Sequence, residues 1–153
     1  MTNKDVKNCI DNSILCWLAT SNSQNEPNVS PKEIFTLKDD STLLIANIAS
    51  PQSSCNIKEN PNVCVSILEI FIQKGFKIKG IANLIDQQDV RFKSYLNLLT
   101  DLFSDKFPII TIIEVKITSV ETIKAPSYFL FPEITEQAQI ESTMKTYKVK
   151  SAE

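Results

Sequence analysis

The chain has 153 residues and a formal net charge of −2, which gives no electrostatic reason to expect a nucleic acid or an anionic membrane surface as partner. Hydrophobic residues make up 42%, enough for one domain with a real core, and no apolar run approaches the roughly 20 residues that span a bilayer. There is no histidine, there are two glycines, and Arg91 is the one arginine, so Ser-His-Asp and Cys-His catalysis, the usual zinc and iron sites, a P-loop and a GxGxxG fingerprint are all excluded.

No apolar segment follows Met1-Thr2-Asn3-Lys4-Asp5, so no signal peptide is expected. Cys9, Cys16, Cys55 and Cys64 form no CxxC pair and read as reduced, mostly buried thiols of a cytoplasmic protein. Thr2 can cap a helix running to about Asn12, with Val6, Cys9 and Ile10 as its apolar stripe. Residues 14–20 form an apolar run of strand length, expected to be buried. Residues 28–37 and 42–48 read as a hairpin around the turn cluster Lys38-Asp39-Asp40-Ser41. Ser50 then stands at a helix N-cap with Pro51 at the first helical position, and Asn60-Pro61 ends that helix. Its first turn carries Gln52, Ser53 and Ser54, and a helix start rich in amides and hydroxyls suits a small anion.

Residues 63–72 and 76–85 read as a second hairpin about Gln73-Lys74-Gly75. Gly80 lies inside the returning strand, where it marks a bulge or the close approach of another backbone. This hairpin is apolar at both parities, Val63, Val65 and Ile67 against Leu68, Ile70 and Ile72, which predicts one face on the core and one on a partner subunit. Asp86 reads as the N-cap of a helix over about 87–103, with Val90, Phe92, Tyr95, Leu96, Leu98, Leu99, Leu102 and Phe103 on its apolar face. Residues 107–123 read as a long strand, bulged where its alternation slips near Glu114. The tail holds Pro126, Tyr128 and Pro132, then a helix over about 135–147. About six strands, arriving mostly as hairpins, predict a mainly β domain with a largely antiparallel sheet and flanking helices. The pattern leaves a barrel and a sandwich both open.

Several short pieces, in order, resemble the pyridoxamine 5'-phosphate oxidase-related family of FMN-binding split barrels. They are Ala19-Thr20, Asn28-Val29-Ser30-Pro31-Lys32, Ile45-Ala46-Asn47, the helix with Asn56-Ile57 and Asn60-Pro61, and Lys79-Gly80-Ile81-Ala82. The tail, Ala125-Pro126-Ser127-Tyr128 with the helix ending at Tyr147, looks like one subgroup of that family. The resemblance implies a single-domain, six-stranded antiparallel split β-barrel with flanking helices, a homodimer binding FMN noncovalently at its interface. The function it implies is a small oxidoreductase of unspecified substrate, with a flavin-holding electron carrier as the alternative.

The resemblance also implies a site. Asn28, Val29 and Ser30 lie along the isoalloxazine edge, and Ala46 and Asn47 near the ribityl chain. Gln52, Ser53, Ser54 and Asn56 surround the phosphate, and Lys32 reaches the phosphate or the pyrimidine end of the ring. Each has a plainer reading too, as an ordinary strand or helix-start residue. Gln52 stands where the family often carries a basic side chain, so Lys32 or Lys79 would have to supply the cation. That departure keeps a flavin-free ligand-binding barrel as a further alternative. No catalytic side chain is assigned, because a flavin can accept hydride directly. Trp17 reads as core, and Arg91 as a solvated helix residue with no ligand.

Overall fold

The structure is a computed structural model that describes residues 4–101 and 108–151. Seven strands form one sheet in which every neighbouring pair is antiparallel. They are β1 (Cys16–Ser21), β2 (Pro27–Lys32), β3 (Phe35–Asp39), β4 (Thr42–Asn47), β5 (Asn62–Glu69), β6 (Lys74–Asp86) and β7 (Thr111–Lys124). Five helices flank them: α1 (Lys4–Asn12), α2 (Pro51–Glu59), α3 (Phe92–Thr100), α4 (Ser127–Leu130) and α5 (Glu136–Tyr147).

The strand order is β2-β1-β5-β6-β7-β4-β3. The two edge strands, β2 and β3, are therefore neighbours in sequence, with only Glu33 and Ile34 between them. Three Cα steps of about 3.8 Å cannot bridge the width of an open seven-stranded sheet. The sheet must roll until its edges meet, and the Ala46 amide donates to the Ile34 carbonyl at 2.9 Å where they do. The result is a split barrel. Its strand count exceeds the expected six because residues 28–37 are two strands. The chain turns at Glu33-Ile34, leaving β2 on β1 and β3 on β4.

The barrel interior holds Leu18, Phe35, Leu43, Ile45, Val65, Ile67, Ile78, Ile113 and Val115, with Val6, Cys9 and Ile10 of α1 packed against them. A second cluster lies under α3, where Phe92, Tyr95 and Leu99 meet Leu44, Ala46, Ile85 and Ile112. β4 is buried along its whole length because it contributes to both clusters. The expected cap Thr2 lies outside the described residues. The apolar run at 14–20 is not wholly buried: Ile14 is exposed, and Trp17, read as core, is 47% exposed on the outer face of β1. The four cysteines are unpaired, with Cys9 and Cys16 buried, Cys64 half-buried and Cys55 exposed.

Three further expectations shift. Asp86 caps a turn rather than a helix, accepting from the Gln88 amide at 2.9 Å, and α3 begins only after Arg91. Val90 is consequently exposed, and Leu102 and Phe103 lie outside the described residues. Arg91 is not simply solvated. It grips Asp89 and reaches Glu114, which is 1% exposed and also accepts from the Tyr95 hydroxyl at 2.7 Å. Burial alone would raise the Glu114 carboxyl, but Tyr95, Lys116 and Arg91 together hold it below the usual carboxylate range. Gly75 is a strand residue paired with Leu68, and the left-handed turn residue is Gln73, at φ 52°. The tip of the β5–β6 hairpin is met by the chain's own tail, through Lys74–Glu136 at 2.7 Å and Tyr128 to the Ile72 carbonyl at 2.7 Å. Among the described residues no helix is long and apolar enough to cross a membrane.

The bulge in β7 falls at Thr118, opposite the Lys79–Gly80 step, and not near Glu114. At Glu114 the alternation slips for another reason: Ile112 to Val115 are buried on both faces. Gly80 behaves as expected of a crowded position. A Cβ there would stand 2.5 Å from the Lys116 carbonyl oxygen and 2.6 Å from Val115 Cγ1. The oxygen belongs to a paired strand and has no room to yield. Gly80→Val should therefore destabilise the barrel by roughly 1–3 kcal/mol despite valine's better strand propensity. Urea melts check this, and a variant as stable as the parent would refute the crowding.

Candidate functional site

The site forms where the rolled sheet closes. Along β2 the side chains alternate, so Asn28, Ser30 and Lys32 face inward under α2 while Pro27, Val29 and Pro31 face out. Val29 is 59% exposed, so its side chain cannot share a ligand surface with Asn28 and Ser30. α2 starts at Pro51 as the sequence predicts, and it lays Ser53 and Asn56 against β1 and β2.

Two hydrogen-bonded groups result. In the first, Ser53 is fully buried and its hydroxyl lies 3.1 Å from Ser30 Oγ and accepts from Asn28 Nδ2 at 3.3 Å. Asn28 and Asn56 both donate to Thr20 Oγ1, at 3.2 and 3.1 Å, and Gln52 donates to Asn56 Oδ1 at 2.8 Å. In the second, Lys32 Nζ donates to Ser50 Oγ at 2.5 Å and to Asn47 Oδ1 at 3.3 Å, and Asn47 Nδ2 donates to Ser54 Oγ at 2.8 Å. Ser50 occupies the N-cap position, yet its hydroxyl serves Lys32 instead of capping the helix.

Lys32 is 5% exposed. Among the described residues no carboxylate lies within 4.0 Å of its ammonium. Burial lowers its pKa from the ordinary lysine value, opposed only by the neighbouring Cys16 sulfur. Cys16 is Lys32's cross-strand partner, and burial pushes its thiol up to about 12. Lys79 sits on β6, paired with Glu121 at 3.1 Å, and does not line the cavity beside Lys32. Arg91 is committed to Asp89 and Glu114.

A cavity of about 410 Å³ opens beside this ammonium. Ser30, Lys32, Glu33 and Ser50 form its polar side, and Ile34, Ala46 and Ile48 its apolar side. Such a lining can hold an anion at one end and a flat apolar body along the other. Of the residues singled out by sequence, Ser30, Lys32 and Ala46 line the cavity. Asn28, Asn47, Ser53, Ser54 and Asn56 form the framework behind it, Gln52 braces Asn56, and Val29 stands on the opposite face. Thr20 and Ser50 are the residues that sequence reasoning left out of the site. Thr20 shows only as half of an Ala-Thr pair, and Ser50 was visible as a cap but not as a lysine partner. Among the described residues no cluster of three or more Cys, Asp or Glu side chains is placed to hold a metal.

Ser53 is therefore a structural pivot. Ser53→Ala leaves Asn28 and Ser30 short of a partner and should cost about 1–3 kcal/mol of stability. Ser53→Glu would put a carboxylate where no exposure exists and should unseat α2 altogether. Thermal melts of both variants check this, and a Ser53→Glu protein with parental stability would show that Ser53 faces open space.

A family model described as "Pyridoxamine 5'-phosphate oxidase" matches residues 2–124. None of the curated protein sequences matches the chain. Among solved structures, HupZ of Group A Streptococcus is 17% identical, with a TM-score of 0.70 over 82% of this chain and 96% of that one. An FMN-binding protein from Syntrophomonas wolfei subsp. wolfei is 18% identical, with a TM-score of 0.66 over 78% and 84% of the two chains. HutZ, the heme storage protein from Vibrio cholerae, is 14% identical, with a TM-score of 0.65 over 78% and 92%. At these identities the structural likeness speaks for the fold, and the match over residues 2–124 speaks for descent: the chain belongs to the pyridoxamine 5'-phosphate oxidase family.

Proposed function

We propose that this protein binds FMN noncovalently and works as a small flavin-dependent oxidoreductase. The observation that carries this is Lys32, a buried ammonium with no carboxylate partner among the described residues, which lines a cavity with one apolar side. A phosphate would supply the missing negative charge, and charge-assisted hydrogen bonds of this kind are roughly twice as strong as neutral ones. The positive end of the α2 dipole adds to the attraction. Family membership and the FMN-binding protein among the structural neighbours support the same choice of ligand.

In this reading Lys32 and Ser50 hold the phosphate, while Asn47 orients Lys32 through its side-chain oxygen. Ser30 and Ala46 flank the ring or ribityl chain, and the small Ala46 side chain lets a flat body approach β4. Ile34 and Ile48 exclude water from one side. Bound FMN would supply the hydride or electron transfer that no side chain here can perform. The substrate's own phosphate has no second cation in the cavity, so the protein is not read as acting on pyridoxamine 5'-phosphate. A haem would have to take its axial ligand from cysteine, methionine or tyrosine, because the chain has no histidine.

Titration of the protein with FMN and riboflavin, followed by flavin fluorescence quenching, tests the reading. Lys32→Met should weaken FMN by about 10- to 100-fold and leave riboflavin nearly unchanged. The same variant should leave the ligand-free barrel at least as stable, because it removes a buried charge. Failure of either flavin to quench would refute flavin binding, and turnover with a nicotinamide donor separates an enzyme from an electron carrier.

We further propose a homodimer. The outer face of β1, β2 and β6 carries Trp17, Val29 and Ile81, all more than a third exposed, and a second copy would cover them. Sedimentation at micromolar concentration should show a dimer, and a monomer would overturn the assembly.

A further inference from the structure

The same ammonium has a consequence for how the site responds to pH. We propose that phosphate binding takes up a proton through Lys32, so that the protein's hold on FMN, but not on riboflavin, weakens as pH rises. This rests on the flavin reading above and deepens it.

Among the described residues, the groups that meet the Lys32 ammonium from the elements packed against it are neutral. β1 offers the Cys16 thiol, which stays protonated through the physiological range. β4 offers the Asn47 amide oxygen. α2 offers no charged side chain in its first turn, and Ser50 ahead of it gives only a hydroxyl. On the chain's own side Glu33 is exposed, lines the same cavity and makes no ion pair with Lys32. Lys32 is buried and, among the described residues, no carboxylate pairs with it. An ammonium in that setting gives up its proton below the ordinary lysine range.

A phosphate monoester is a dianion above about pH 7. Placed against Lys32 it favours the ammonium and draws the pKa back up. Between the lowered value of the ligand-free protein and the raised value of the complex, each phosphate bound takes up one proton. Affinity for FMN then falls as pH rises, by up to about tenfold per unit for a single linked proton. Riboflavin has the same ring and no phosphate, so it carries the pH effects of the ring and none of this one, and the phosphate's own ionisation is nearly complete above about pH 7.

The test is FMN and riboflavin titration of the full chain between about pH 7 and 9.5, a window below the ordinary lysine pKa. The parent should lose FMN affinity once the pH passes the lowered Lys32 value, toward the upper part of this window, with riboflavin level. Lys32→Arg keeps its charge throughout and should bind FMN without the slope. Lys32→Met should bind FMN much less tightly than the parent, also without the slope, and its riboflavin affinity reports that it has folded. A level FMN affinity in the parent, or an equal slope in Lys32→Met, would overturn the proton linkage while leaving flavin binding in place. No quenching by either flavin at any pH would remove the flavin reading itself.

Discussion

Two residues govern this architecture. Glu33 and Ile34 are all that separates the two edge strands of a seven-stranded sheet, and a link that short cannot cross an open sheet. Closure is therefore a covalent requirement before it is a packing preference. It also creates the site. Lys32 is the last residue of β2, Ile34 receives the Ala46 amide, and Asn47 ends β4 just before α2 begins. The cavity, the ammonium and the helix start meet because the chain turns there from one edge of the sheet to the other.

The rest of the sheet has to bend to allow it. β6 and β7 are the long strands, and each runs past the closing seam into the outer hairpin. Thr118 is the extra residue in their ladder, and its hydroxyl donates to the Lys79 carbonyl at 3.1 Å. A bulge sharpens local twist, and Gly80 opposite it lets the two backbones close in. On the near side of this point β7 is buried on both faces, between the barrel interior and α3. On the far side it lies half in water. One inserted residue thus marks where a two-sided core strand becomes a one-sided hairpin strand.

Local signals read well where the chemistry is local. Ser50-Pro51 places the start of α2, Thr135 caps α5 by accepting from the Ala138 amide at 3.1 Å, and the β5–β6 hairpin follows from its apolar runs. Where one residue type serves two structures, the sequence misleads. Asp86 offers the same carboxylate to a turn amide as it would to a helix amide. Gly75 suits a tight turn as well as a strand position pressed against Ile67. What the sequence could not reveal is non-local. The break at Glu33-Ile34 carries no glycine or proline, and only the pairing of β2 with β1 and β3 with β4 exposes it. Ser53 sits in the right helix turn for a phosphate, but the rotation of α2 on the sheet aims it at Asn28 and Ser30 instead.

Among the described residues two charged side chains are buried, Lys32 on β2 and Glu114 on β7, and they are treated differently. Glu114, 1% exposed, is met by a tyrosine hydroxyl, a guanidinium and an ammonium, the last at 3.5 Å. Its cost of leaving water is answered within the chain, and the group ties α3 to β7. Lys32, 5% exposed, is met by one hydroxyl and one amide oxygen. Dipoles of that size lower the cost of burying an ammonium without cancelling it. If stability were the only demand at position 32, an apolar side chain of similar length would serve it better. A lysine left in that state is what the proposed flavin phosphate would answer with its own negative charge, and the cavity that Lys32 lines gives such a group room.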